Sequence, residues 1–416
     1  MSTSQVRQRE REYALTVAEK IKEFNTNGKL TVAIFGDAFF PCVDGVVMVE
    51  DNVAKRLLDR CNIVVFAPRH KGETVRKDYL VIGCRSTYLK GLNYDVASFF
   101  NLGKLYRDTV KQLRIDVIHA HSPFKMGIEA LRLHKKTGAP FIMTFHSQYK
   151  QDIFKETHSR LLTKIGLDFV MKSFNGTTEV WTMHKASAAT LVSYGYKGEI
   201  KFMPNATDYV YPDDAERKIK ALKERYDIGG DKKLFLFVGR LVTQKNILFI
   251  AEVLGRLKKR GLDFKMLFIG DGPDRKKLED KLLKEGVSDR CVLIGKITDK
   301  DQLESYYLAT DLLLFPSKYD VSSIIQIEAA AMKTPCAFVE DSVTSCTITA
   351  GVDGLILPED SEKFAEGVFS LVSDKKRLAE MSEMAYKQVY VTWDDIVDRT
   401  YKRYLELSEE FKRAKK

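Results

Sequence analysis

No stretch of the chain approaches the roughly 18 consecutive apolar residues a membrane-crossing helix needs, so no transmembrane span is expected. The opening segment, MSTSQVRQREREYALTVAEKIKEF, has mixed charges and lacks the apolar core of a secretory signal. It reads instead as an amphipathic helix with Ala14, Val17, Ala18, Ile21 and Phe24 along one stripe. Cysteines are few and scattered: Cys42, Cys61, Cys84, Cys291, Cys336 and Cys346 form no CxxC pair and have no nearby histidine spacing. That excludes a zinc site and a disulfide framework, and is consistent with buried reduced thiols in a cytoplasmic protein. The basic runs at Arg256 to Arg260 and Asp274 to Glu285 are not interleaved with aromatics and look like the outer sides of helices. Nucleic acid is therefore not an expected partner. A net charge of +10 still favours anionic partners, a nucleotide or an anionic membrane face.

What is present is alternation. At 416 residues the chain exceeds the usual size of one hydrophobic core, so two domains are expected. LTVAIFG from Leu30, CNIVVFA from Cys61, DVIHA from Asp116, PFIMTF from Pro140 and EVWTM from Glu179 fit buried parallel strands separated by helical patterns. After the polar stretch following Asp208 the alternation restarts at Lys233, Phe264, Cys291, Asp311 and Pro335. The expectation is an α/β protein of two Rossmann-like, doubly wound parallel-sheet domains, 1–207 and 208–393, facing a central cleft. Open parallel sheets bind ligands at the carboxyl ends of their strands, so that cleft is the expected active site.

Several segments carry chemistry. VGRLVTQKN (Val238 to Asn246) ends a strand and opens a helix, which puts Arg240 and Lys245 at the handover. A planar guanidinium and a mobile ammonium can together neutralise a diphosphate, whereas either alone would be an ordinary surface cation. IGDGP, with Gly270, permits close backbone approach after the next strand. In PSKYDVSSIIQIEAAAMKT (Pro316 to Thr334) a Ser/Val turn with Ser322 and Ser323 separates Asp320 from Glu328 and precedes an Ala-rich helix. Free N–H groups at that helix start suit a diphosphate, and Glu328 could accept from sugar or ribose hydroxyls. Taken alone, the segment also reads as a solvated acid before a buried helix face. His146 follows an apolar strand and faces the expected cleft. His119 and His121 form a strand-end pair with no acid or third ligand, and read as packing or acceptor-side residues.

In this order, VGRLVTQKN, IGDGP, the strand ending at Gly295, DLLLFPS and the D-x7-E segment resemble the retaining GT-B glycosyltransferases of family GT4, over nearly the whole chain. The resemblance implies that Arg240 and Lys245 contact the donor diphosphate, that Glu328 holds the ribose, and that Asp320 faces the donor sugar. It implies that AFFPCVDGVV, with Gly45 after Asp44, is the loop near the donor phosphate, and that His146 lies beside the sugar. It also implies that the last helix, 394–416, crosses back to the first domain. The sequence departs from the family in having Asp320 for Glu and Val321-Ser322-Ser323 for Gly-Phe-Gly, which puts donor choice or activity in question. The donor implied is a nucleotide-diphosphate sugar, UDP in preference to GDP, used without a metal or other cofactor.

The acceptor is less legible. Gln148 to Phe174 mixes Lys150, Lys155, Arg160 and Lys164 with Phe154, Leu161, Leu162 and Ile165, which suits either an interfacial helix on an anionic membrane or a packed surface helix. The DGVV and FHSQY segments resemble those of diacylglycerol glucosyltransferases, which implies hexose transfer to a membrane lipid or a cell-envelope glycan precursor. A cytoplasmic enzyme at the inner face of the membrane is expected. Transfer to a protein or polysaccharide, sugar-nucleotide 2-epimerisation, and a non-catalytic sugar-nucleotide-binding partner subunit remain as alternatives.

Overall fold

Among the described residues two large hydrophobic cores form around two parallel sheets. The computed structural model describes residues 3–42, 44–89, 94–318 and 324–414. The chain divides into Met1–Pro204 with Trp393–Lys416, and Asn205–Thr392.

The first unit holds β1 (Leu30–Phe35), β2 (Cys61–Pro68), β3 (Leu80–Cys84), a hairpin of β4 (Ser86–Leu89) and β5 (Tyr94–Ala97), then β6 (Val117–Ala120), β7 (Phe141–Thr144), β8 (Glu179–Thr182) and β9 (Glu199–Phe202). Its seven-stranded sheet runs β3-β2-β1-β6-β7-β8-β9. Every residue of β1 and β2 is buried, as expected of strands covered on both faces. Phe35 and Phe66 stack at 4.7 Å between them. Strand order reverses between β1 and β6, which makes their carboxyl ends the switch point where such sheets bind ligands.

The N-terminal helix spans Thr3–Thr26. Its buried stripe is Tyr13, Val17 and Ile21, with Ala14 and Phe24 half-buried, while Ala18 is exposed, contrary to the expected stripe. The i, i+4 series begins one residue earlier than the apolar letters suggested because the tyrosine ring takes the inner position. The last helix, Trp393–Ala414, belongs to this unit and buries Trp393, Ile396, Val397, Tyr404 and Leu407. Arg403 on this helix grips the buried Glu179 of β8 through two nitrogens, Nη2 at 2.7 Å and Nε at 3.1 Å. Removing the arginine would leave an uncompensated buried carboxylate, at a cost of about 3–5 kcal/mol.

The second unit holds β10 (Lys233–Val238), β11 (Phe264–Ile269), β12 (Cys291–Gly295), β13 (Leu312–Leu314), β14 (Cys336–Val339) and β15 (Gly354–Leu357). Its six-stranded sheet runs β12-β11-β10-β13-β14-β15, so its switch point lies between β10 and β13. Helices Ile247–Lys259, Arg275–Lys284, Lys300–Ala309 and Ile324–Ala331 connect the strands. Asp299 caps the third of these, accepting from Gln302 N at 2.8 Å. Among the described residues no helix is long and apolar enough to cross a membrane.

Candidate functional site

In the second unit the site is built on glycines. Gly239 follows β10 with φ 154°, and Gly270 follows β11 with φ 132°. A β-carbon on Gly270 would lie 1.9 Å from Gly239 O, and one on Gly272 would lie 2.3 Å from Leu241 O. Only glycine lets the two turns approach this closely. Backbone bonds then stitch them together, Gly239 N to Ile269 O at 2.9 Å and Leu241 N to Asp271 O at 3.0 Å, and Gly270 N donates to Gly295 O, at the end of β12, at 2.8 Å. The strand ends enclose a pocket of about 410 Å³, whose lining includes Arg240, Gly270, Asp271, Lys296 and Ile297. It offers backbone, an apolar wall, two cations and the acid Asp271.

The turn from Arg240 to Lys245 is held by Asp274, which accepts from Thr243 N at 2.7 Å and Thr243 Oγ1 at 2.9 Å. Lys277 first, and then these bonds, draw the Asp274 pKa down to about 2, so the clamp stays ionised. Asn246, in the left-handed region at φ 58°, reaches Glu359 Oε1 at 2.7 Å and Pro316 O at 3.4 Å. Lys245 thereby sits 5.5 Å from the Phe315 ring centre, beside the carboxyl end of β13. The structure thus brings VGRLVTQKN to the start of the Pro316–Thr334 segment.

Glu328, on the Ile324–Ala331 helix, is half-buried and accepts from Tyr307 Oη at 2.8 Å. Burial raises its pKa, while the Tyr307 hydroxyl and the Lys300 charge pull it back. Asp320, Ser322 and Ser323 lie outside the described residues.

In the first unit, Gly45 opens the Gly45–Arg56 helix, and Asp44 caps it by accepting from Val46 N and Val47 N at 2.9 Å. Two of the helix's free donors are therefore already engaged by a carboxylate. Three histidines gather at the ends of β6 and β7. His119 meets Tyr404 Oη at 2.6 Å and Thr144 Oγ1 at 2.7 Å, which satisfies both ring nitrogens. His121 Nδ1 meets His146 Nε2 at 3.0 Å. Burial lowers the His119 and His146 pKa values to about 3 and takes His121 well below its usual value, so the cluster is neutral.

Beneath the end of β1, Glu50 is 1% exposed, and its Oε2 has no partner among the described residues. Burial, then the charges of Asp44 and Asp37, push its pKa well above the ordinary carboxyl value. Burial likewise raises Asp37 to about 6, although Met126 N and Ser122 Oγ both donate to it at 2.9 Å. Among the described residues no group of three or more His, Cys, Asp or Glu side chains is placed to hold a metal ion.

Sequence reading missed Lys296, Tyr307 and Glu50. Lys296 carried a usable signal, being the first residue after a strand that ends in glycine. Tyr307 and Glu50 carried none, since each is defined by a neighbour distant in sequence.

Two parallel-sheet units with polar residues at their strand ends are the GT-B architecture of nucleotide-sugar-dependent glycosyltransferases. Anabaena HepE, solved in complex with UDP, superposes with a TM-score of 0.71 at 15% identity, covering 91% of this chain and 100% of that one. Residues 43–210 match the model for Glycosyltransferase Family 4, and residues 218–388 match that for Glycosyl transferases group 1. The chain belongs to this glycosyltransferase family and is a transferase enzyme. Its relatives include the alpha-monoglucosyldiacylglycerol synthase of Acholeplasma laidlawii, 22% identical over 397 residues, 90% of this chain and 99% of the relative. The enzyme of the same name from Streptococcus pneumoniae is 21% identical over 311 residues, 74% of this chain and 70% of the relative.

Proposed function

We propose that the enzyme moves a hexose from a UDP-sugar to the hydroxyl of a membrane lipid, with retention of anomeric configuration and without a metal. The observation that carries the donor half is the pocket of about 410 Å³ at the ends of β10 and β11, with Arg240 and Lys296 in its wall. Arg240 and Lys245 offset the charge that grows on the diphosphate as the anomeric C–O bond breaks, with Asp320, Ser322 and Ser323 completing the donor contacts. Fixed cations aimed at developing charge are usually the largest single contribution to such catalysis. Glu328 accepts from the ribose hydroxyls, and the family resemblance gives His146, a neutral ring, the hydrogen bond to the donor sugar. The bond from C1 to the phosphate oxygen breaks with its electron pair leaving on UDP. The acceptor oxygen bonds C1 from the same face, and its proton passes to the departing phosphate oxygen.

The acceptor half is supported by the relatives' named activity and by a helical hairpin in the first unit. Helices Tyr149–Thr157 and Arg160–Phe174 are joined at His158, which has φ 49°, and pack where Ile153 meets Gly166. The second helix turns Thr163, Val170, Met171 and Phe174 inward. Its outer side exposes Leu161 at 68%, Leu162 at 51% and Ile165 at 57%, and Phe154 of the first helix is 47% exposed. Lys150, Lys155, Arg160 and Lys164 are exposed on the same pair of helices. Apolar side chains among cations fit the interface of an anionic bilayer, which supports reading the enzyme as a peripheral protein of the inner membrane face.

The test is transfer from UDP-glucose labelled with carbon-13 at C1 into vesicles of phosphatidylglycerol and diacylglycerol. The expected product is an α-linked glucolipid formed in step with UDP. A β-linked product would overturn retention. Transfer to water alone, with the lipid untouched, would overturn the lipid acceptor.

A further inference from the structure

Among the described residues His121 makes one short polar contact, to His146 Nε2 at 3.0 Å. Both rings are neutral, so a single proton lies between the two nitrogens, and it belongs to one ring or the other. The deciding atom is His121 Nε2, which is buried with no partner among the described residues. If His146 were the donor, His121 would have to carry its own proton on Nε2, as an orphan N–H in the interior. Buried orphan N–H groups are rarer in folded proteins than under-satisfied acceptors. The proton therefore sits on His121 Nδ1, with a bare Nε2 behind it, and His146 Nε2 accepts.

The His121 ring is held in place to do this. The His119 ring centroid lies 4.2 Å from its own, and the His146 ring lies nearly parallel at 24° with its centroid 5.3 Å away. His119 is pinned in turn by Tyr404 and Thr144 and lies edge-on to Trp181 at 4.8 Å. Tyr404 comes from the last helix, so that helix takes part in fixing the cluster.

We propose that His121 is a positioning residue that holds His146 as the Nδ1–H tautomer, so that any hydrogen bond His146 gives to a ligand leaves from Nδ1. Its catalytic consequence rests on the proposed role of His146 at the donor sugar; the tautomer itself is a property of the free protein. A second ring in van der Waals contact would fill space equally well as a leucine, whereas a tautomer lock requires an N–H at the Nδ1 position. Asparagine supplies one there and leucine does not.

The test uses the full chain with nitrogen-15 in its histidines, recording the ring shifts of His146 without substrate. In the native protein Nε2 should show the shift of an unprotonated nitrogen and Nδ1 that of N–H. His121→Asn should keep that pattern, and His121→Leu should give a mixture of tautomers. In the transfer assay His121→Leu should lower kcat by on the order of tenfold or more, as wrong-tautomer variants do. The KM for the UDP-sugar should stay close to native, and His121→Asn should restore most of the rate. A native His146 protonated at Nε2 would overturn the proposal. So would unchanged shifts in His121→Leu, or equal rate losses in the two variants. Shifts that contradict the tautomer leave the donor reading standing, whereas native transfer rates in His121→Leu despite the expected shifts would count against the role of His146 instead.

Discussion

Tyr307 donates its phenolic proton to Glu328 across 2.8 Å, and this contact opposes the burial that pushes the Glu328 pKa up. A ribose hydroxyl bonds an ionised carboxylate more strongly than a protonated one, so nucleotide affinity should fall as pH drops through the raised Glu328 pKa. Tyr307→Phe removes the hydroxyl that favours the carboxylate, and should move that fall to higher pH. Calorimetric UDP affinities between about pH 5 and pH 8 check this. Superimposable profiles for the two proteins would contradict it.

Gly270→Ala should damage the donor pocket at its root. The added methyl meets Gly239 O at 1.9 Å, backbone against backbone, at a φ of 132° that alanine avoids. Overpacking of this kind costs about 1–3 kcal/mol, to be read from urea midpoints. UDP affinity should fall as well, because the wall that carries Arg240 shifts. Native stability and affinity in the variant would show that the two turns are not locked together.

Glu50 fills the space beside Gly36, where a β-carbon would lie 2.6 Å from its Oε2. Its folded pKa lies well above the unfolded one, so over that window the native state binds a proton the unfolded chain has lost. The stability this contributes is present at low pH and is lost as pH rises through the folded value, at up to about 1.4 kcal/mol per unit. Glu50→Gln keeps the shape and removes the titration. Its stability relative to native should therefore increase from about pH 5 to pH 8 by urea unfolding. A gap independent of pH would contradict the assignment.

The hairpin predicts a separable membrane function. Leu161→Glu with Ile165→Glu should abolish sedimentation with phosphatidylglycerol vesicles while leaving UDP affinity unchanged. Binding of the native chain should weaken steeply with salt, since each basic side chain near an anionic surface contributes about 1 kcal/mol. Undiminished vesicle binding by the double variant would remove the hairpin from the account.

Much of the fold was legible because buried parallel strands are near-continuous apolar runs, and Leu30–Phe35 and Cys61–Pro68 are buried at every position. β9 was not, because Glu199–Phe202 is an edge strand with no fully buried residue and so carries no such run. The cations Arg240 and Lys245 could be placed from a strand-to-helix handover, which is local in sequence. The partner of Glu328 could not, since Tyr307 lies on the previous helix and nothing in the spacing announces it. Glu50 reads as an ordinary helix acid until Gly36, on the strand before it, is seen to leave room for the carboxyl group. Local periodicity sets the elements, and contacts distant in sequence set the pKa values and the tautomers.

Glu328 is the residue through which the second unit is proposed to hold the nucleotide of the donor. Calorimetric titration of UDP into the native chain and into Glu328→Ala tests it most directly. Binding to the native protein should be saturable, and binding to the variant weaker by at least about tenfold, or roughly 1.4 kcal/mol. Equal affinity in the two proteins would contradict it.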